Sequence, residues 1–239
     1  MFPTTTDQTA ATLFLLESRD TDDEQREQQR ALFLPRLDLS EAERYARFTR
    51  RQRQRQFLLG RILLRRAVGS LTGVAPDAIS VMERPGNAPQ LILADYTGPA
   101  PSFSLSHSGC WIACAVSLDA MLGLDIEQID PDRDIVAMSE TAFDARERAW
   151  LARQPVAEHY VAFHHLWSLK EAHFKLRSGQ KSEPQHPTGA ATLIDADGKL
   201  AWHGEGWHRC SPPHANLSIV ICSDRALQRV ERIDLTGLD

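Results

Sequence analysis

The chain has 239 residues, 42% of them hydrophobic and 25% charged, and its 27 basic and 32 acidic residues leave a net charge of −5. This is the composition of a folded globular protein and excludes a disordered or fibrous chain. A chain of this length buries roughly 70–75% of its unfolded surface, so its core needs no metal or disulfide framework. No apolar run reaches the ~18 residues of a membrane helix. No basic residue precedes the short apolar stretch at the N-terminus, so it does not read as a secretion signal. Cys110, Cys114, Cys210 and Cys222 show no CxxC spacing and read as reduced thiols, which points to the cytoplasm.

The charge is unevenly spread. Between Arg44 and Arg66 stand nine arginines and no acid, whereas the whole chain has four lysines, Lys170, Lys175, Lys181 and Lys199.

Taken in chain order, a strand is expected at Thr12–Leu16 and a polar helical stretch over 20–34, interrupted by Pro35. Ser40, with Glu43 three residues on, has the pattern of a helix N-cap. Tyr45, Phe48, Phe57, Ile62, Leu63, Leu64 and Val68 fit one or two amphipathic helices ending at Gly69 or Gly73. Residues 84–101, with four prolines, read as turn and loop. Strands follow at Phe103–Ser106 and Trp111–Ser117, joined at Gly109 as a hairpin, and at Met121–Glu127. Helices are expected over Thr141–Arg153 and over 157–178, the second closed by Gly179. Ala191–Ile194, Lys199–Trp202 and Leu217–Cys222 read as β runs. The likeness of 111–117 (WIACAVS) to 218–223 (SIVICS) is a faint echo between two halves.

Three segments carry chemistry. In Gly123-Leu124-Asp125-Ile126-Glu127, strand alternation turns Leu124 and Ile126 one way and Asp125 and Glu127 the other. Two carboxylates on one face suit a hard cation such as Mg²⁺, or else form an exposed acidic face. In Trp167-Ser168-Leu169-Lys170-Glu171-Ala172-His173-Phe174-Lys175, helical spacing puts Trp167, Lys170, Glu171, Phe174 and Lys175 on one face. That face is either a surface ion pair or a third carboxylate beside phosphate-binding lysines. Ser104-Leu105-Ser106-His107-Ser108 ends a strand with hydroxyls and an imidazole, which can bind phosphate or simply shape a turn.

In this order and at this spacing, SHS, GLDIE and WSLKEAHFK resemble the 4′-phosphopantetheinyl transferase family, from about Arg55 to Lys175. One copy of each motif in 239 residues resembles its long, surfactin-synthetase-activating type, a monomer of two similar halves. The resemblance implies an α+β fold of two pseudo-twofold subdomains, each a small antiparallel sheet packed with helices. Residues 1–120 would make the nucleotide-end half and 121–239 the half with the metal site, the active site lying at their interface. It also implies Mg²⁺ on Asp125, Glu127 and Glu171, with coenzyme A as substrate. Lys175 and Lys170 would meet its phosphates, and Arg61, Ser106 and His107 its 3′-phosphate end. The partner would be an apo acyl or peptidyl carrier protein whose serine is the nucleophile, with Glu127 or Glu171 accepting its proton.

Two positions depart from the family pattern. The common Gly-Lys-Pro element reads Gly86-Asn87-Ala88-Pro89, without the lysine, and Ser104 stands where asparagine is common. Other readings are weaker. Nucleic-acid binding by the arginine tract is opposed by the negative total charge and sparse aromatic interleaving. The spacing of His203, His208, Cys210 and His214 matches no common zinc finger. No membrane role is expected.

Overall fold

The structure, a computed structural model, describes residues 9–18, 23–82, 89–179 and 193–238. Its elements run β1 (Ala10–Glu17), α1 (Asp23–Phe33), α2 (Leu39–Ala46), α3 (Arg51–Thr72), β2 (Ile79–Met82), β3 (Gln90–Leu93), β4 (Ser102–Ser108) and β5 (Trp111–Ser117). Then follow β6 (Leu122–Gln128), α4 (Ile135–Ala142), α5 (Ala145–Ala152), α6 (His159–Gly179), β7 (His203–Gly204), β8 (Trp207–Cys210), β9 (Leu217–Ser223) and β10 (Arg229–Leu235).

Two four-stranded sheets form, in the orders β10-β1-β5-β4 and β6-β9-β8-β7. Strand alternation gives each two apolar faces. Phe14, Leu16, Ile112, Cys114 and Val116 of the first sheet pack under Leu59, Leu63 and Val68 of α3. Leu13, Leu15, Ala113 and Ala115 face the other way, onto Leu124, Ile126, Ile219 and Ile221 of the second sheet. Beyond it, Val220 and Cys222 pack under Phe163, Leu166 and Leu169 of α6. The layers are therefore helix, sheet, sheet, helix.

The halves repeat one plan: strand, short helix, long helix, antiparallel hairpin. β1, α2, α3, β4 and β5 correspond to β6, α5, α6, β8 and β9. Both short helices open with the same capping box. Asp38 Oδ1 accepts from Glu41 N at 2.8 Å, and Asp144 Oδ1 accepts from Glu147 N at 2.9 Å. The two glutamates return bonds to Asp38 N and Asp144 N at 3.1 and 2.8 Å. Both are buried and each receives a cation from the long helix that follows: Arg65 on Glu41, and Lys170 on Glu147.

Several local expectations shift. The first capping box starts at Asp38, two residues before Ser40, because a carboxylate there reaches the Glu41 amide. The single helix expected over Thr141–Arg153 is two, since Phe143 is extended and Asp144 caps a new start. Phe143 is buried instead, its ring 5.2 Å from that of Phe163. Within the expected 84–101 loop, Gln90–Leu93 is a strand paired with β2. Lys199–Trp202 is not a strand; Leu200 makes one bridge to Ile194, while Ala191 lies outside the described residues. β8 and β10 were not expected. β10 pairs parallel to β1, from more than two hundred residues away, where no local turn signal announces it.

Candidate active site

β4 and β6 are the edge strands where the sheets meet. An edge strand leaves a row of backbone groups unpaired. Here serine side chains supply the missing partners. Ser102, Ser104, Ser106 and Ser108 share one face of β4, and their hydroxyls accept from the amides of Leu122, Leu124, Ile126 and Gln128 at 3.0, 2.8, 3.2 and 3.0 Å. The four contacts keep a constant offset of twenty residues, so the strands run parallel. This seam fixes the position of the acidic motif on β6 relative to β4.

Two of the same hydroxyls donate onward. Ser106 Oγ donates to Asp125 Oδ1 at 2.9 Å and Ser108 Oγ to Glu127 Oε2 at 2.7 Å. Arg133 Nη1 also lies 3.3 Å from Glu127 Oε2. Lys175 of α6 donates to Asp125 Oδ1 (2.8 Å), to Leu124 O (2.9 Å) and to Ser106 Oγ (3.2 Å). Gly123 permits this closeness: a Cβ there would stand 2.0 Å from Ala172 O and 2.5 Å from Leu176 N. The helix backbone rests directly on the strand.

Asp125 is 5% exposed, and burial pushes its carboxyl up to about 6 despite the opposing charge of Lys175. Its Oδ2 is buried with no hydrogen-bond partner among the described residues. An orphaned carboxylate oxygen invites a cation. Asp125 and Glu127 are hard oxygen donors of the kind Mg²⁺ takes, so these residues fit that metal. Glu171, expected as the third ligand, is not gathered with them: among the described residues no three His, Cys, Asp or Glu side chains form a metal-holding group. It is Lys175 that closes onto Asp125.

A cleft of about 790 Å³ wraps around the edge of β4. On one side it is lined by Asp125, Lys175 and Phe174, and on the other by Arg44, Arg53, Phe57 and Arg61. His107 lies on the α3 face of β4, opposite the serines, and Arg53 Nη1 stands 2.8 Å from its Nε2. A guanidinium only donates, so Nε2 accepts. Burial first, and the Arg53 charge second, lower the His107 pKa and keep the ring neutral at pH 7. Aromatic rings order the arginine wall. The Arg61 guanidinium lies 4.8 Å and that of Arg44 5.6 Å from the Phe57 ring centroid, and Arg53 lies 6.0 Å from that of Phe48.

Of the residues expected from sequence, Ser106, His107, Asp125, Arg61 and Lys175 line this cleft, and Glu127 is the next outward residue on β6. Arg61 is also buried against Glu41, with Nε 3.3 Å from Oε1. Lys170 points elsewhere: its Nζ is 2.6 Å from Glu147 Oε2 and 5.6 Å from the Phe143 ring centroid, tying α5 to α6. Arg84 and Gly86 to Ala88 lie outside the described residues. Of the seam serines Ser102 and Ser108, the first was not singled out and the second was named only within the segment 104–108, and the wall residues Arg53 and Phe57 were not singled out for the site either. The alternation S-x-S-x-S-x-S over 102–108 was the available signal for the first pair, and the arginine tract for Arg53. Elsewhere, His203 and His208 form a cross-strand pair with ring centroids 6.0 Å apart, and His214 packs on Trp111. Among the described residues no helix is long and apolar enough to cross a membrane.

Fold and site together define a two-lobed α+β enzyme class, with a basic cleft that holds one buried carboxylate, Asp125. A profile described as "4′-phosphopantetheinyl transferase superfamily" matches residues 121–220, and one described as "4′-phosphopantetheinyl transferase, N-terminal" matches residues 24–119. The chain is 32% identical over 164 residues to 4′-phosphopantetheinyl transferase psf-1 of Bacillus pumilus, covering 69% of this chain and 67% of that protein. It is 31% identical over 140 residues to HetI of Nostoc sp., covering 58% of each chain. It is 27% identical over 143 residues to Sfp of Bacillus subtilis, covering 60% of this chain and 61% of that one. The chain belongs to the 4′-phosphopantetheinyl transferase superfamily, in its surfactin-activating type.

Proposed function

We propose that the chain transfers the 4′-phosphopantetheine group of coenzyme A to a serine hydroxyl of an apo acyl or peptidyl carrier protein, releasing 3′,5′-ADP. One observation carries this reading: Asp125, buried with an unpartnered Oδ2, sits in a cleft whose other charged walls are cationic. Asp125 and Glu127 would hold Mg²⁺; Glu171 is the third carboxylate that its motif suggests, although it does not stand grouped with the other two here. When bound, the ion supplies charge neutralisation on the pyrophosphate.

The chain's own groups do the rest by position and charge, which is what phosphoryl transfer requires. Lys175 presents an ammonium to the phosphate oxygens beside Asp125. Arg61, Ser106 and His107 line the nucleotide end. The carrier serine oxygen attacks the β-phosphorus, the bond from that phosphorus to the bridging oxygen breaks, and the hydroxyl proton passes to Glu127 or Glu171. The two lobes of one chain enclose the cleft, which supports action as a monomer. Four cysteines outside any disulfide support a cytoplasmic setting.

The test is incubation with coenzyme A, Mg²⁺ and a panel of apo carrier proteins, reading carrier mass. A phosphopantetheine gain that is lost in Asp125→Ala and with chelator is expected. No gain on any carrier overturns the activity; a gain that survives chelation overturns the metal assignment.

A further inference from the structure

Both acids of the β6 motif already carry a protein cation. Lys175 Nζ stands 2.8 Å from Asp125 Oδ1, and Arg133 Nη1 stands 3.3 Å from Glu127 Oε2. The two carboxylates are thus matched by two cations, and the charges of the four groups cancel. The transfer chemistry gives Arg133 no task. It lies in the turn between β6 and α4, six residues beyond Glu127.

Both cations are engaged, yet both are free to leave. An ammonium has three hydrogens, and those of Lys175 go to Asp125 Oδ1, Leu124 O and Ser106 Oγ. To meet a phosphate oxygen, Lys175 must release one of these. The Arg133 guanidinium makes its one hydrogen bond among the described residues to Glu127 Oε2. The side chains of Lys175 and Arg133 are 28% and 33% exposed, so each can swing outward. The acids stay behind, because Ser106 Oγ holds Asp125 and Ser108 Oγ holds Glu127.

This arrangement discriminates between a dication arriving alone and one arriving with an anion. Asp125 Oδ2, buried and without a hydrogen-bond partner among the described residues, invites a cation. A free dication, however, meets a site without net charge, with two positive groups a few ångströms away. A pyrophosphate reverses the balance. Its oxygens draw Lys175 and Arg133 off the acids and add the hard ligands that Mg²⁺ takes.

We infer that Arg133 and Lys175 are positioning residues that act as resident counter-ions of Asp125 and Glu127, keeping a free divalent cation out and admitting it with the anionic donor. This rests on the coenzyme A and Mg²⁺ reading above. It couples the two ligands, so that each raises the affinity for the other by the same factor.

Binding of Mn²⁺, followed by electron paramagnetic resonance at pH 8, tests this without turnover. The wild type alone is expected to bind Mn²⁺ weakly, and coenzyme A to tighten the binding. Arg133→Met keeps the length of the side chain and removes its charge; it should raise nucleotide-free Mn²⁺ affinity about tenfold. Lys175→Met should do the same, and Arg133→Lys should stay near the wild type. Arg177→Met removes a cation from the exposed last turn of α6 and should change nothing. A Met variant at 133 or 175 whose Mn²⁺ affinity is not raised overturns the role of that residue. An equal rise in Arg177→Met, or a wild type that binds Mn²⁺ equally with and without coenzyme A, overturns the inference as a whole. No Mn²⁺ binding to any form, even with coenzyme A, would overturn the metal reading itself. Metal-dependent carrier loading with Mn²⁺ affinities insensitive to both residues would overturn only this inference.

Discussion

Lys175 reaches from α6 to Asp125 on β6, 2.8 Å from Oδ1, and in the same reach caps the Leu124 carbonyl at 2.9 Å. One side chain thus neutralises the buried acid and fastens the helix to the strand beneath it. Lys175→Ala removes a charged hydrogen bond from a buried carboxylate, at a cost of about 2 kcal/mol. The pair exists only while Asp125 is ionised, so the loss should be larger at pH 8 than at pH 5. Denaturant titration at both pH values measures it; an equal loss at both would place the effect in packing alone.

The elevated carboxyl of Asp125 sets a pH dependence. Its folded value of about 6 exceeds its ordinary 3.8, so the native state binds more protons between these limits. Stability therefore falls as pH rises from about 4 to about 6 for this group, and its unfavourable contribution is complete above that range. Activity should run the other way, since the ionised form is the one that pairs with Lys175 and offers Oδ2 to a cation. Carrier loading is expected to decline as pH drops through about 6. Ser106→Ala removes a hydrogen bond that lowers this value and should move the acid limb upward. An unmoved limb in that variant would assign it to another group.

Gly123→Ala places a methyl where the Ala172 carbonyl stands, 2.0 Å away. Backbone cannot yield as a side-chain tip can, so α6 must lift off β6. The expected cost is about 3 kcal/mol, roughly 6–12 °C in Tm for a chain of this size. Thermal denaturation reads it. Carrier loading should fall with it, because Lys175 moves with the helix.

The serine seam predicts a graded series. Ser104→Ala leaves the buried Leu124 amide without a partner and should cost about 1–3 kcal/mol. Ser108→Ala exposes its partner, the amide of Gln128, to water, so its cost should be clearly smaller. Urea unfolding of the two variants side by side decides this.

A double-mutant cycle addresses Lys170. If its work is to hold Glu147 at the start of α5, Lys170→Ala and Glu147→Gln should couple by about 1 kcal/mol, and the double variant should be little worse than the worse single one. Additive losses, with a rise in KM for coenzyme A in Lys170→Ala alone, would return Lys170 to the nucleotide.

Gly123-Leu124-Asp125-Ile126-Glu127 was legible as a strand with two acids on one face because period-two alternation is a local property. The β4–β5 hairpin was legible for the same reason, with Gly109, at φ +56°, marking its turn. Lys175 could be named from its motif. Its partner could not, since spacing along α6 says nothing about which strand lies beneath. The same holds for Arg53. In the sequence it is one of nine arginines in a tract, and only the packing of α3 across the first sheet brings it to His107. β10 was hidden because a parallel pairing with β1 leaves no mark between them. By itself, then, the sequence determined the central strands and the alternation that turns Asp125 and Glu127 to one side of β6, which follow from backbone periodicity. The tertiary structure decided their partners: serines on one sheet edge satisfying the amides of another, and a glycine thin enough to let α6 settle against Asp125.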